Sequence, residues 1–200
     1  MTTLLQLNSS IFSSGGNSSQ LADTFVGKWR DKNPDAQIIF RDLAANPLPH
    51  LDAQWVIAFS TPAEARTAEQ QALVAESDAL ISELKRADVI VIGLPMYNFG
   101  IPSTLKAYLD QIARAGLTFR YTETGAIGLL PDIKTYVFAA RGGLYAGSAL
   151  DSETTYLRDF LGFLGIKDVT FIYAEGLNMG EESKQQALHD AKVRIDELLA

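Results

Sequence analysis

Cysteine is absent from all 200 residues. This excludes disulfides, thiol redox chemistry, thiolate-bound zinc and cysteine-held iron–sulfur clusters together. Histidine is nearly absent too. His50 and His189 are the only two, so a histidine-based site is not expected and no metal is predicted. No run approaches the roughly 18 apolar residues that a membrane span requires. The start, Met1-Thr2-Thr3-Leu4-Leu5, has no basic segment ahead of an apolar stretch and does not read as a secretory leader. A cytoplasmic location is the resulting default. Positive charge is in deficit, with 17 Lys and Arg against 24 Asp and Glu for a net charge of −7. That balance argues against a nucleic-acid partner, which needs a basic face, and against adsorption to an anionic membrane.

What is present is an ordinary globular composition, 47% hydrophobic and 20% charged. The chain reads as one domain over 1–200, with an irregular insertion at about 43–62 marked by Pro47, Pro49 and Pro62. Strands are predicted at Leu4–Leu7, Ile38–Phe40, Val89–Leu94, Tyr136–Ala140 and Val169–Ala174. Val89–Leu94 is a continuous apolar run, as a strand buried on both faces should be. Helices are predicted at Ser18–Asn33, Arg66–Arg86, Ser103–Ala115, Glu153–Leu164 and Glu181–Leu199. In the first of these, Leu21, Phe25 and Trp29 recur at four-residue spacing. Five strands separated by helices predict an α/β fold, a five-stranded parallel sheet with helices on both faces. Strand order is not readable from this pattern. Ligands of such sheets bind at the carboxyl ends of the strands.

Three loops at those ends carry candidate chemistry. The first, Asn8 to Ser19, is rich in Ser and Gly and leads into a helix start, where unpaired N–H groups and the helix dipole favour an anion. It has no Lys or Arg, so neutral donors would hold a phosphate there. A flexible connector with Asn17 or Ser18 as helix cap accounts for the same residues. The second, Leu94-Pro95-Met96-Tyr97-Asn98-Phe99-Gly100-Ile101-Pro102, can lay apolar surface along a planar ring, or fold into the core. The third, Ala140-Arg141-Gly142-Gly143-Leu144-Tyr145, brings two glycines after a strand, either for a close ligand or for a tight turn. Together the loops would cover a phosphate, a flat ring and the ring's polar edge. That combination fits FMN in a flavodoxin-like sheet.

Several segments carry a resemblance that runs nearly end to end. They are Pro95-Met96-Tyr97-Asn98-Phe99, Pro102 with Leu105-Lys106, Phe119-Arg120-Tyr121-Thr122-Glu123 and Arg141-Gly142-Gly143, with Arg41 to Pro47 and Phe160 to Gly165 in support. The sequence resembles the FMN-dependent NADH-azoreductases, within the flavodoxin-like NAD(P)H:quinone reductases. The resemblance implies tightly bound FMN, NADH or NADPH as transient donor, and a homodimer with two sites at the subunit interface. It places Ser10, Gly16, Asn17 and Ser18 at the phosphate, Met96, Tyr97, Asn98 and Phe99 along the ring, and Ala140 to Gly143 near its pyrimidine edge. It also brings Phe99, Tyr121 and Phe163 to the substrate, the last two across the interface. Tyr145 stands where some relatives carry histidine, which leaves its role as a proton donor open.

Weighed residue by residue, Phe119 and Tyr121 in a polar stretch favour an interface or pocket, whereas Phe160 reads as core. Arg141 either stabilises charge near the ring or pairs with a carboxylate. Tyr145 either bonds the ring edge or is a surface tyrosine. The expected activity is two-electron reduction of quinones and azo compounds by a ping-pong mechanism. Asn98, Gly142, Gly143 and Tyr145 are its candidate catalytic groups. The rivals are a flavodoxin-like electron carrier and a non-catalytic FMN-binding regulator.

Overall fold

The apolar runs become the strands of a computed structural model that describes residues 2–200. In chain order the elements are β1 (Thr3–Asn8), α1 (Asn17–Lys32), β2 (Gln37–Asp42), α2 (Ala53–Ser60), α3 (Ala68–Arg86), β3 (Val89–Pro95), α4 (Ser103–Ile112), β4 (Phe119–Thr122), β5 (Gly125–Gly128), β6 (Lys134–Ala140), α5 (Ser152–Leu164), β7 (Val169–Ala174) and α6 (Glu181–Leu199). The main sheet runs β2-β1-β3-β6-β7, and every neighbouring pair is parallel. This is the flavodoxin order, and its switch point lies between β1 and β3. The first, second and third loops therefore emerge side by side at one edge.

Side chains alternate across the sheet as the pleat demands. Ile90 and Ile92 point into one cluster with Leu80, Leu84, Leu105, Leu109, Leu157 and Leu161, from α3, α4 and α5. Val91 points into the other with Leu21, Phe25, Trp29, Ala191 and Ile195, from α1 and α6. Two cores thus clamp the strands, and the chemistry is left to the loops at their ends.

Two expectations need correction. The stretch 43–62 is not irregular throughout. Asp52 caps α2 by accepting from the Gln54 and Trp55 N–H groups, and Trp55 and Ala58 are buried. Phe59 lies under the Arg114 guanidinium, 3.9 Å from its ring centre. The prolines flank this helix rather than interrupt it. The polar stretch after Gly116 is the antiparallel hairpin β4–β5, pairing Phe119 with Gly128 and Tyr121 with Ala126.

Boundaries also move. The helix expected from Arg66 starts after Thr67, whose side chain forms a reciprocal cap with Gln70. The helix expected to reach Ala115 stops at Ile112, because the Thr118 hydroxyl accepts from the Arg114 N–H and donates to the Ile112 carbonyl. Phe160 is half-buried against the core rather than inside it. Among the described residues, no helix is long and apolar enough to cross a membrane.

Candidate active site

The first loop ends in a helix start built to receive something. Gly16 precedes α1 without any side-chain cap, so the first N–H groups of α1 are left unpaired. Ser18 and Ser19 are fully buried there, and neither hydroxyl has a partner. A buried hydroxyl without a partner is costly, so both are polar groups at the start of α1 that the chain itself leaves unused. Gly16 is needed for a close approach, since a Cβ on it would sit 2.5 Å from Ser10 Cβ. Ser10 Oγ in turn accepts from the Phe12 N–H at 3.2 Å.

The second loop folds back on itself after β3. Tyr97 and Gly100 exchange both backbone hydrogen bonds at 3.0 Å. The two residues between them, Asn98 (φ 50°) and Phe99 (φ 66°), are both left-handed. A phenylalanine there is strained by about 1–2 kcal/mol. The strain leaves the Asn98 and Phe99 N–H groups without internal partners among the described residues. Ser152 of α5 donates to the Phe99 carbonyl and fixes the turn. The Tyr97 hydroxyl lies 3.3 Å from Ser10 Oγ and 3.2 Å from the Ile11 nitrogen, so it ties the second loop to the first.

The third loop is held by its carbonyls. Those of Arg141, Gly142 and Gly143 accept from the Leu177, Asn178 and Gly176 N–H groups respectively. The Gly142 and Gly143 N–H groups donate to nothing among the described residues. The Tyr145 ring folds back over Gly143, its hydroxyl 2.8 Å from where a Cβ would be. It meets Phe99 edge to face, with ring centres 5.6 Å apart.

Arg141 is resolved in favour of carboxylates. It is 1% exposed and donates to Asp151 at 2.8 Å and to Glu153 and Glu175 at 3.2 Å. Burial works against its charge, but these bonds outweigh burial and raise its pKa further. Burial also opposes the Asp151 carboxylate, yet bonds from Arg141 and Thr154 hold it below the usual range. Glu153 is the exception: burial pushes it up to about 8, with Arg141 pulling the other way. Glu175 passes the restraint on by accepting from the Tyr145 and Ala146 N–H groups. Arg141 thus locks the third loop, and what it offers the cavity is backbone.

Between the loops lie two adjoining hollows that share Met96, Gly142 and Asn178. One, of about 350 Å³, is lined by Ser10, Gly16, Asn17, Tyr97, Ala140 and Lys184 among others. The other, of about 380 Å³, is lined by Asn98, Phe99, Gly143 and Tyr145. The pair forms a trough with the unpaired N–H groups of the α1 start at one end and that of Gly143 at the other. Sequence reasoning missed Asn178 and Lys184. The signal was a fourth strand-end loop, Gly176-Leu177-Asn178 after β7, with the same glycine-after-strand character as the third. The Ser18 side chain is buried beneath the start of α1, and Ser18, Tyr121 and Phe163 line neither hollow. Phe163 packs on Phe119 with centres 4.4 Å apart, and Phe119 meets Tyr121 edge to face, which leaves Tyr121 76% exposed.

The sequence matches the family described by its flavodoxin-like fold over residues 2–199. It is 58% identical over 200 residues to the FMN-dependent NADH:quinone oxidoreductase of Cellvibrio japonicus (strain Ueda107), covering all of both chains. To the FMN-dependent NADH:quinone oxidoreductase 6 of Burkholderia lata it is 57% identical over 195 residues, 98% of each chain. The structure of an FMN-dependent NADH-azoreductase from Bacillus anthracis str. Ames Ancestor in complex with FMN superimposes over 100% of both chains, with a TM-score of 0.88 at 28% identity. An azoreductase from Bacillus anthracis str. Sterne gives a TM-score of 0.91 at 25% identity, over 100% of this chain and 99% of that one. The chain belongs to the flavodoxin-like family that includes the FMN-dependent NADH:quinone oxidoreductases.

Proposed function

We propose that the protein is a cytoplasmic, homodimeric FMN-dependent NAD(P)H:quinone oxidoreductase that also reduces azo compounds. The observation that carries this reading is the set of unpaired backbone donors at both ends of one trough. Donors at the α1 start suit a phosphate, and those of Gly142 and Gly143 suit the polar edge of a flat heterocycle. The partnerless Ser18 hydroxyl and the side-chain-free cradle at Gly16 fit the phosphate. When bound, FMN supplies the two-electron chemistry, taking a hydride from a nicotinamide and passing electrons to a quinone or azo bond.

The protein's own residues orient and tune. Ser10, Gly16, Asn17 and Ser18 receive the phosphate, with Tyr97 holding Ser10 in place. Met96, Asn98 and Phe99 support the ring, and Ala140 closes the base by accepting from the Met96 N–H at 3.0 Å. The Gly142 and Gly143 N–H groups would stabilise negative charge at the ring edge. The Tyr145 hydroxyl, poised over Gly143, is placed to hold a proton at that edge. Phe99 and Tyr145 wall the open side, where an acceptor ring would lie.

Purified protein should be yellow, with one FMN per chain, and should oxidise NADH in the steady state. A colourless protein that rejects added FMN would sink the site. A yellow protein without turnover would make it a carrier or regulator. Asn17→Asp sets a carboxylate against the phosphate and should weaken FMN binding roughly tenfold. Unchanged affinity in a fluorescence titration would move the phosphate elsewhere.

The dimer is supported by Tyr121, which is 76% exposed at the end of the half-buried aromatic pair Phe163–Phe119 and does not reach the trough of its own subunit. Exposed tyrosine is the kind of surface enriched at interfaces. Tyr121→Ala should raise KM for bulky acceptors several-fold and leave FMN content intact. Sedimentation as a monomer at micromolar concentration, or loss of flavin instead of acceptor binding, would defeat this assignment.

A further inference from the structure

The phosphate end of the trough holds a cation that the first loop does not supply. Lys184 of α6 lines the same hollow as Gly15, Gly16 and Asn17. We infer that Lys184 is the electrostatic partner of the flavin phosphate and makes the protein prefer the phosphorylated flavin to riboflavin. The inference rests on the trough being an FMN site.

Charge gives the first reason. No Lys or Arg lies between Asn8 and Gln20, and the chain as a whole carries −7. A dianionic phosphate entering this field meets neutral donors and a repulsive background. Arg141 is the other cationic residue on the hollow, and its guanidinium is committed to Asp151, Glu153 and Glu175. Lys184 is therefore the cation left to answer the phosphate.

Helix physics gives the second. Lys184 sits at the fourth position of α6, where the dipole favours acids and disfavours a cation. Glu181 and Glu182 obey that preference. Lys184 breaks it without compensation inside the chain, for its ammonium makes no hydrogen bond or ion pair among the described residues. A residue that violates a local rule with no internal partner belongs to a functional site more often than to the scaffold.

Rigidity gives the third. The Ser183 hydroxyl donates to the Gly176 carbonyl at 2.9 Å, and the Gly176 N–H donates to Gly143 at 2.9 Å. The start of α6 is thus pinned to the third loop, so Lys184 is carried at a fixed place beside the trough. Its half-buried stem limits the rotamers it must give up on binding.

The test strips flavin from the protein and titrates the apoprotein with FMN and, separately, with riboflavin, following flavin fluorescence. Lys184→Met should weaken FMN binding about tenfold and leave riboflavin within about twofold. Lys184→Arg should restore most of the FMN affinity. Lys192→Met, an exposed α6 residue away from the trough, removes the same charge and should change neither. Raising the salt should narrow the gap between wild type and Lys184→Met. Equal weakening of FMN and riboflavin would make Lys184 a packing residue, and an equal loss in Lys192→Met would reduce the effect to net charge. Either result overturns the inference, as does an unaltered FMN affinity in Lys184→Met, which leaves the FMN site standing. Wild-type protein that takes up neither flavin would remove the site along with it.

Discussion

Replacing Arg141 by methionine should destabilise the protein by about 3–5 kcal/mol, a large part of the roughly 5–15 kcal/mol that holds a domain folded. The methionine fills comparable space, so the loss is electrostatic. Asp151, Glu153 and Glu175 remain clustered, the first two buried, with no cation to answer them. The loss should depend on pH in a defined direction. In the wild type, Asp151 is held below its ordinary pKa, so its contribution is present at neutral pH and fades as pH falls. In the variant, the buried carboxyls are raised above their unfolded values, so acid relieves them. Both trends narrow the gap between the two proteins toward low pH.

Glu153 adds a separate signature in the wild type. Its carboxyl is raised from 4.5 to about 8 by burial. A raised carboxyl contributes stability that is full below the unfolded value and is lost as pH rises through the folded one. Glu153→Gln should therefore flatten a decline in stability between those two pH values. Urea melts of the three proteins at pH 5.5 and 8 read all of this. A variant as stable as wild type at pH 8 would mean that Arg141 does not lock the loop. Because Glu175 also carries the Tyr145 and Ala146 N–H groups, Arg141→Met should shed flavin before it unfolds. That loss would come from a residue whose side chain never faces the trough.

The parts of this molecule that were legible in the sequence are those fixed by local pattern. Val89–Leu94 declared itself as a doubly buried strand, and α5 ends at Leu164 as its sequence pattern indicates, with Gly165 left-handed after it. The three loops were visible because Ser, Gly and Pro punctuate the strand ends. What stayed hidden was set by contacts distant in sequence. Nothing local shows that the Arg141 guanidinium turns toward residues 10, 12 and 34 positions away. Nothing local shows that the Tyr97 hydroxyl crosses to the loop after β1. Nothing in the sequence around Lys184 distinguishes it from the other charges of α6, and only the β2-β1-β3-β6-β7 order sets α6 beside α1. In α2, the prolines on either side outweighed Asp52 and Trp55, which held a readable cap and core position. The hairpin β4–β5 lacked a strong apolar alternation, since much of its surface is exposed.

The same topology bears on kinetic order. Double-reciprocal plots with NADH varied at several quinone concentrations should be parallel. Rapid mixing of the yellow protein with NADH alone should discharge its colour completely, with no quinone present. The loops after β1, β3, β6 and β7 converge on one trough, and a flavin held there would leave one face of its ring for both substrates, bordered by Phe99 and Tyr145. A nicotinamide and a quinone are both flat and both would lie against that face, so each would exclude the other. The first product would then have to leave before the second substrate enters. An enzyme form that carries the electrons between the two halves is the kinetic counterpart of a covalent intermediate. A recess of about 410 Å³ lies on the far side of Phe99, lined by Ile101, Ser103, Lys106 and Tyr156. It shares Phe99 with the trough but none of Asn98, Gly142 and Gly143, so it offers no stacking face against the ring. Intersecting plots, together with bleaching that waits for quinone, would mean that both substrates are bound at once, and the shared-face order would fall.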